Sequence, residues 1–278
     1  MQIWRTEASH AVDGVELSST SRGHRAGWQA VGIMSGFPTE PVAIPEPISR
    51  AANGRLVTPV WFNSDGGLTF QLGIGPGRQF AKWAPAGSPL KLGAEADRCR
   101  WASAYLPVPH VVDFGHNLEG AWLVTEGLPG ENAVSPRWKA RPQQAVVAVA
   151  TGLRTLHDTL PVATCPFDWS VSTRLVEAQA AGLSVGDLRN PPATDQVVVC
   201  HGDACVPNTL IDDAGRCSGH VDLGSLGVAD RWADLAVATM SLDWNYGPGW
   251  EDTFFEAYGI EADPERIDYY RELWNLGP

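Results

Sequence analysis

The sequence changes character near residue 128, and this change restricts the fold more than any other feature. Before it, short apolar runs are separated by glycine-containing turns, which is typical of antiparallel strands. After it, apolar residues recur at the spacing of helices. The pattern predicts an α+β fold of two lobes, a small β-rich N-lobe and a larger, mainly helical C-lobe. We expect a ligand site in the cleft between them, because such sites are common between domains.

The same patterns predict the individual elements. We predict N-lobe strands at residues 56–62, 68–72, 79–83, 111–115 and 121–125, with a helix at 91–105. For the C-lobe we predict a buried strand at 196–200, a hairpin with strands 210–213 and 219–222, and helices at 143–160, 172–181, 230–242, 250–258 and 264–276.

The predicted division of the chain places the N-lobe at residues 56–125, a hinge at 126–130 and the C-lobe at 131–278. Residues 1–55 are an N-terminal extension of uncertain structure, which we assign to the N-lobe. Three prolines within residues 40–47 predict an extended or looped chain there, because proline lacks a backbone N–H donor.

Charge and cysteine content exclude several functional classes. The chain has 32 acidic and 20 basic residues and a formal net charge of −12. This charge repels nucleic acid and anionic membranes and attracts a polycationic small molecule; acidity that only aids solubility is the alternative. We expect no signal peptide and no membrane-spanning segment, which needs about 20 apolar residues. Five scattered cysteines argue against a disulfide framework or a zinc site and favour a reducing cytoplasm.

The most informative segment for chemistry is residues 201–208, His-Gly-Asp-Ala-Cys-Val-Pro-Asn, which follows the predicted buried strand. Its pattern, H-x-D-x-x-x-x-N, has the spacing of the catalytic loop of protein kinases. There the aspartate receives the proton of the acceptor hydroxyl, and the asparagine holds Mg²⁺. The pattern nominates Asp203 and Asn208 for these roles. Polar loops with His and Asp are common, so the segment alone is only a hypothesis.

Three further residues occur where this hypothesis needs them. Asp222 lies at the end of a predicted strand, fourteen positions after Asn208, which is the place of the second Mg²⁺ ligand. Lys82 lies within the third predicted strand, where a lysine for the nucleotide phosphates belongs, and Glu95 on the next helix can pair with it. Taken singly, Lys82 can be a solvated strand lysine, and Glu95 can be paired with Arg98 on an exposed helix face.

Two glycine-containing turns of the predicted sheet are candidates for covering the phosphates. Residues 73–77 are interpreted as an ordinary hairpin turn, because no helix follows and the chain has no G-x-x-x-x-G-K-[ST] motif. The turn at 63–67 is the better candidate, since its backbone N–H groups can lie over the phosphates. The residues that we predict to do so are Ser64, Asp65, Gly66 and Gly67.

Two segments resemble the aminoglycoside phosphotransferase family. Residues 199–212 read Val-Cys-His-Gly-Asp-Ala-Cys-Val-Pro-Asn-Thr-Leu-Ile-Asp, and residues 219–236 read Gly-His-Val-Asp-Leu-Gly-Ser-Leu-Gly-Val-Ala-Asp-Arg-Trp-Ala-Asp-Leu-Ala. Residues 122–133 are similar to the family's hinge, and residues 165–169 to a segment of its substrate lobe. The likeness extends over about residues 56–275 and is greatest toward the 3′-phosphotransferases, the kanamycin and neomycin kinases.

The resemblance implies a protein-kinase-like fold. It also implies that the chain uses ATP and Mg²⁺ to phosphorylate an aminoglycoside antibiotic at a hydroxyl group, the 3′-hydroxyl. Such a reaction would make the host resistant to the antibiotic. GTP stays open as a second donor. The implied roles are catalytic base for Asp203, metal ligands for Asn208 and Asp222, phosphate lysine for Lys82 with Glu95 as partner, and adenine binding for the hinge residues Thr125, Glu126 and Leu128. For the cationic substrate the implied residues are Asp168, Glu177, Asp230, Arg231 and Glu256. An ordinary surface charge or a helix cap is the alternative for each.

Departures from the family pattern leave the acceptor open. Residues 270–278, Tyr-Arg-Glu-Leu-Trp-Asn-Leu-Gly-Pro, lack the acidic-aromatic tail of the 3′-phosphotransferases. A kinase for another small hydroxylated metabolite or antibiotic is therefore an alternative. A nucleotide-binding pseudokinase is the non-enzyme alternative, although the polar residues needed for transfer are all present. We expect a cytoplasmic monomer or weak dimer without a nucleic-acid or membrane partner.

Overall fold

A computed structural model describes residues 36, 38, 40–63, 65–186 and 188–277. The strands are β1 (Val57–Phe62), β2 (Leu68–Leu72), β3 (Gln79–Pro85), β4 (Val111–His116), β5 (Gly120–Glu126), β6 (Glu131–Asn132), β7 (Val197–Cys200), β8 (Thr209–Ile211), β9 (Cys217–His220) and β10 (Gly227–Asp230). The α-helices are α1 (Glu46–Ala52), α2 (Leu92–Ala102), α3 (Pro136–Lys139), α4 (Pro142–Thr159), α5 (Val171–Ala180), α6 (Trp232–Tyr246), α7 (Glu251–Tyr258) and α8 (Pro264–Asn275). Residues 1–35, most of the predicted extension, lie outside the described residues.

The N-lobe is a five-stranded antiparallel sheet in the order β1-β2-β3-β5-β4. All five predicted strands are present, with small shifts at their ends. Side chains alternate between the two faces of the central strand β3. Ala81 and Trp83 pack on the face that carries α1, whereas Ala84 packs with Leu92 of α2 on the other. Lys82 therefore points to the face that α2 covers.

Helix α1 corrects the interpretation of the proline-rich segment. Residues 41–45 have no regular structure, as predicted, but a helix begins at Glu46 with Pro47 in its first turn. Proline is tolerated there because the first amides of a helix have no acceptor within the helix. Ile48 then becomes a fully buried member of the sheet core, a tertiary contact that the local sequence does not reveal.

The C-lobe is formed mainly by helices. Helix α4 packs against α7, and α6 packs against α8, around fully buried side chains such as Leu235, Phe254 and Leu273. Two small sheets, β10-β7 and β6-β8-β9, accompany the helices. Strand β7 leads directly into residues 201–208, and β9 leads into Asp222, so both nominated segments begin at the ends of strands.

One predicted helix begins later than expected, and besides α1 three strands or helices of the described chain were not predicted. The helix expected at 230–242 begins at Trp232, because residues 227–230 form β10 and pair with β7, with Asp230 opposite Val197. Strand β6, which pairs with β8, helix α3 and strand β10 were missed. These elements are short, and β6 and β10 are fixed by distant pairing, so the local pattern is weak.

The predicted two-lobed, protein-kinase-like α+β architecture is confirmed. The antiparallel sheet and α2 make up the first lobe, and the helices from α3 onward dominate the second. We propose that residues 126–130, which begin at the last residue of β5, are the hinge, as predicted. No helix in the described ranges is long and apolar enough to cross a membrane.

Replacing Ile48 tests whether α1 stabilises the N-lobe. Ile48 is fully buried against Phe70 and Val124. Ile48→Ala should lower the free energy of unfolding by about 2–5 kcal/mol, because it leaves a cavity. The control Arg50→Ala removes only an exposed ion pair with Glu46 and should change the free energy by less than about 1 kcal/mol. Denaturant unfolding measures both; equal stabilities of the two variants would contradict the packing of α1.

Candidate active site

Lys82 links the two lobes through two carboxylates. Its Nζ atom lies 2.7 and 2.9 Å from the carboxylate oxygens of Glu95 on α2. The same atom lies 2.7 Å from Oδ1 of Asp222, which follows β9. Glu95 therefore pairs with Lys82, as predicted, and not with Arg98 on its own helix. The structure brings together residues that are 140 positions apart in the sequence.

The electrostatics of these three residues keep Lys82 charged. Burial alone would lower the pKa of Lys82, but the charges of Asp222 and Glu95 outweigh burial and hold this pKa above its usual range. The Lys82 charge lowers the pKa of Asp222. Burial raises the pKa of Glu95, against the attraction of the same lysine. A protonated lysine at the cleft can neutralise phosphate oxygens during phosphoryl transfer.

Asp203 and Asn208 contact each other within the loop at 201–208. Nδ2 of Asn208 donates to the backbone oxygen of Asp203 at 2.9 Å and to its Oδ2 at 3.2 Å. The Cys205 thiol interacts with the Asp203 carboxylate, whose buried Oδ1 atom has no hydrogen-bond partner by distance in the described part of the chain. Burial and then the Asp222 charge raise the pKa of Asp203. A carboxylate of this kind is suited to accept a proton from a bound hydroxyl.

Gly202 holds this loop against the segment that follows Asp222. Its φ of +80° lies in the left-handed region, and a Cβ atom at this position would overlap the carbonyl oxygen of Ser225. Glycine meets both demands without strain. Because Asp203 is the next residue, this close approach fixes its position relative to Ser225, three residues after Asp222.

Asp234 anchors the same loop and was not nominated from the sequence. Its two carboxylate oxygens accept hydrogen bonds from the backbone N–H groups of His201, at 2.6 Å, and Gly202, at 2.8 Å. His157 on α4 lies 2.9 Å from Oδ2 of this buried carboxylate. Despite burial, these hydrogen bonds and charges lower the pKa of Asp234. The signal in the sequence was an aspartate within the apolar run at 232–238, because a buried carboxylate needs partners.

Backbone contacts set the distance between the two nominated metal ligands. The N–H group of Val221 donates to the carbonyl oxygen of Asn208 at 2.9 Å, and Nε2 of His201 lies 2.9 Å from the carbonyl oxygen of Val221. The amide of Asp203 donates to Nδ1 of His201, so Nε2 is the protonated nitrogen. Asp222 itself has a φ of +63°, a conformation that aspartate adopts more readily than most residues.

The donor atoms of Asn208 and Asp222 fit a magnesium ion. Because Nδ2 of Asn208 faces Asp203, its Oδ1 atom is directed elsewhere. Asp222 uses only Oδ1 in its bond to Lys82, which leaves its second oxygen for a cation. Amide and carboxylate oxygens are the donors that Mg²⁺ prefers, with the remaining positions filled by water and substrate phosphates. The assignment of these two residues as metal ligands stays a prediction.

The predicted hinge has few free backbone groups. The N–H of Glu126 donates to the carbonyl oxygen of His110 at 2.9 Å, and that of Gly127 to the carbonyl oxygen of Arg78 at 2.9 Å. The guanidinium of Arg78 donates to the Leu128 carbonyl oxygen at 2.6 Å. Within the described ranges, the N–H of Leu128 has no protein acceptor and is available to a nucleotide base. Adenine binding by Thr125, Glu126 and Leu128 stays a prediction.

The turn at residues 63–67 has its described amides occupied. Oδ1 of Asn63 accepts hydrogen bonds from the N–H groups of Asp65, at 3.1 Å, and Gly67, at 2.7 Å. The N–H of Gly66 donates to the Asn63 carbonyl oxygen. In this arrangement none of these three N–H groups is free to donate to a phosphate. The predicted phosphate-covering role of the turn stays a prediction, and the geometry does not favour it. Ser64 lies outside the described residues.

Asp168 precedes α5, and Glu177 lies within that helix. The carboxylate of Asp168 accepts hydrogen bonds from the Ser170 amide and hydroxyl and from the Thr173 hydroxyl. Glu177 forms an ion pair of 2.7 Å with Arg174. The main chain of Asp168 lies against Gly227, and both carboxylates already have local partners. Their predicted contact with substrate stays untested.

Asp230 and Arg231 lie at the end of β10 that is remote from the loop at 201–208. Asp230 is buried and accepts hydrogen bonds from the amides of Asp195 and Trp232. Arg231 pairs with the Asp195 carboxylate at 2.6 Å. Both side chains are therefore engaged with Asp195, in the segment before β7. This placement does not favour the predicted contact of Asp230 and Arg231 with substrate. Glu256 is exposed on α7, and its role stays a prediction.

Comparison with known proteins places these residues in a family context. Residues 64–270 match the model of the phosphotransferase enzyme family. An aminoglycoside 3′-phosphotransferase of Streptomyces fradiae is 38% identical over 245 residues, covering 75% of this chain and 90% of that protein. A streptomycin 3″-kinase of Streptomyces griseus is 37% identical over 234 residues, covering 70% of this chain and 83% of the relative.

A solved structure is similar over most of its length. The aminoglycoside phosphotransferase APH(3″)-Id of Streptomyces rimosus superposes with a TM-score of 0.66 at 30% identity, covering 82% of this chain and 95% of that protein. The same enzyme has been solved with ADP and streptomycin, and that complex superposes with a TM-score of 0.63 at 28% identity.

Replacing Asp234 tests its role as the anchor of the loop at 201–208. Asp234→Asn should lower the free energy of unfolding by about 3 kcal/mol or more, because it removes a buried charged acceptor from three donors. The control Asp243→Asn changes an exposed carboxylate on the same helix and should cost less than about 0.5 kcal/mol. Denaturant unfolding compares the variants. If Asp234→Asn is as stable as its control, the carboxylate does not anchor the loop.

Proposed function

The chain belongs to the phosphotransferase enzyme family, and from that premise we propose that it transfers the γ-phosphoryl group of ATP to a hydroxyl of an aminoglycoside. The observation that carries this proposal is the convergence of Lys82, Asp222 and Asp203 at one cleft. The 3′-phosphotransferase and streptomycin kinase relatives support the acceptor class, and the homologous complex with ADP supports the donor. The chain carries all the polar residues that transfer needs, which favours an enzyme over a pseudokinase.

Asp203 acts on the acceptor in this mechanism. Phosphoryl transfer passes through a loose transition state, so catalysis depends on orientation and on charge neutralisation. The carboxylate of Asp203 orients the acceptor hydroxyl and takes its proton as the new O–P bond forms. Its hydrogen bonds from Asn208 and the anchoring of the loop by Asp234 hold it in place without a change of conformation.

Lys82 and the metal ligands act on the donor. The ammonium group of Lys82 neutralises phosphate oxygens, and Glu95 keeps it in position. Asn208 and Asp222 would hold Mg²⁺, which neutralises the charge of the β- and γ-phosphates when bound. The N–H of Leu128 is the candidate donor to the base, and ATP is the preferred candidate nucleotide, with GTP open.

The acceptor is a polycation in this proposal, since the chain carries a net charge of −12 and aminoglycosides are cationic. We propose the 3′-hydroxyl as the acceptor atom, by analogy with the Streptomyces fradiae relative. Streptomycin is the second candidate, because one relative is a streptomycin 3″-kinase and a similar structure holds streptomycin. Phosphorylation in the ATP-containing cytoplasm would make the cell resistant to the antibiotic.

A transfer assay with the purified chain tests this function. Kanamycin, neomycin and streptomycin are each incubated with ATP and Mg²⁺, and phosphorylated product is measured by mass spectrometry. We expect phosphorylation of at least one of them and, in cells that express the chain, a raised minimum inhibitory concentration for the same drug. Phosphorylation of none of the three, with ATP bound, would contradict the aminoglycoside assignment and favour another hydroxylated acceptor.

Two variants separate the roles of the aspartates. Asp203→Asn should lower kcat by about 100- to 10,000-fold, because it removes the proton acceptor, while nucleotide affinity stays near that of the wild type. Asp222→Asn should instead weaken the Mg²⁺-dependent binding of ATP. Steady-state kinetics and calorimetric titration measure both effects. A normal kcat for Asp203→Asn would refute its role as the base.

A further inference from the structure

Arg98 fastens α2 to the segment that follows Asp222. It lies three positions after Glu95, on the same side of the helix. Its Nε atom donates to the carbonyl oxygen of Leu226 at 2.8 Å, and its guanidinium lies 4.7 Å from the centre of the Phe167 ring. Leu226 is fully buried and lies four residues after Asp222. One side chain therefore connects the helix that carries Glu95 with the segment that carries Asp222.

The two partners of Arg98 are themselves joined. The N–H of Val228 donates to the carbonyl oxygen of Phe167 at 2.9 Å, and the N–H of Trp169 donates to the carbonyl oxygen of Val228 at 3.0 Å. Arg98 thus contacts both sides of a hydrogen-bonded pair of chain segments. Movement of α2 away from the cleft would break the bond to Leu226 and the contact with Phe167 together.

The surroundings of Arg98 differ from those of an ordinary surface arginine. Arg100, two positions along the helix, is exposed and forms an ion pair of 3.0 Å with Asp97. Arg98 is half-buried, and no carboxylate lies within ion-pair distance of it in the described part of the chain. Its contacts are the carbonyl oxygens of Leu226 and Ala94 and an aromatic face, and the forked, planar guanidinium reaches all three together more readily than a lysine ammonium does.

We infer that Arg98 is a positioning residue for phosphoryl transfer, which keeps Glu95 and Asp222 on either side of Lys82. This inference rests on the proposed function. In protein kinases, phosphorylation of the activation loop controls the position of the equivalent helix and of its glutamate. Here the helix supplies its own attachment through Arg98. The Lys82 site is therefore assembled in the unmodified chain.

Kinetics of three variants test this inference. Arg98→Met keeps much of the side-chain volume, and Arg98→Lys keeps the charge without the planar guanidinium; Arg100→Met is the control on the same helix. Both Arg98 variants should lower kcat/KM for ATP by about 10- to 100-fold, since small displacements of catalytic groups have effects of this size. The KM for the acceptor should change little. Arg100→Met should stay within about twofold of the wild type.

Hydrogen exchange without nucleotide supplies a readout that does not depend on activity. In Arg98→Met the amides of residues 223–228 should exchange faster, while those of Thr209–Ile211 keep their protection, because only the contacts that Arg98 makes between α2 and the former segment are lost. Faster exchange throughout the chain would indicate general destabilisation and overturn the inference. If Arg98→Met does not fold, Arg98→Lys decides by the same two measurements.

The outcomes separate this inference from the proposed function. A wild-type chain that binds no ATP and phosphorylates no acceptor would contradict the proposed function. An active wild type with Arg98 variants that equal it in kcat/KM for ATP would contradict only the positioning role. Recovery of full activity by Arg98→Lys would also overturn it, because charge alone would then be sufficient.

Discussion

The structure depends on one cation held between two lobes. Lys82 belongs to the N-lobe sheet, Glu95 to the helix on that sheet, and Asp222 to the C-lobe. Burial lowers the pKa of this lysine, and the nearby charges of Asp222 and Glu95 raise it. The two carboxylates keep the lysine charged, and the pair with Asp222 also joins the two lobes. The ion pairs therefore set both the geometry of the cleft and the charge that a nucleotide would meet.

In the C-lobe, hydrogen bonds hold the loop at 201–208 in position beside Asp222. Asp234 accepts two backbone amides of the loop at 201–208, and Gly202 lets that loop touch the segment after Asp222. Arg98 attaches α2 to the same segment from the other lobe. Buried hydrogen bonds of this kind cost little reorganisation during a reaction, which is how preorganised sites stabilise a transition state.

The sequence predicted the parts that are encoded locally. Alternating strands with glycine turns located β3 and so placed Lys82 opposite α2, and the motif spacing identified Asp203, Asn208 and Asp222. It did not predict helix α1, because Pro47 resembles a helix breaker until its first-turn position is known. It also missed Asp234 and Arg98, whose partners lie 32 and 128 positions away. The predicted substrate residues Asp230 and Arg231 were nominated from the family resemblance and their position, and their charges are used within the fold.

The most direct test of the shared cation is a double-mutant cycle on the affinity for ATP in the presence of Mg²⁺. Titration calorimetry gives the Kd of the wild type, Lys82→Met, Glu95→Gln and the double variant. We predict that Lys82→Met raises Kd by about tenfold, the loss of one charged contact. The double variant should bind no more weakly than Lys82→Met, because Glu95 acts only through the lysine. Fully additive losses, or an unchanged Kd in folded Lys82→Met, would contradict the account.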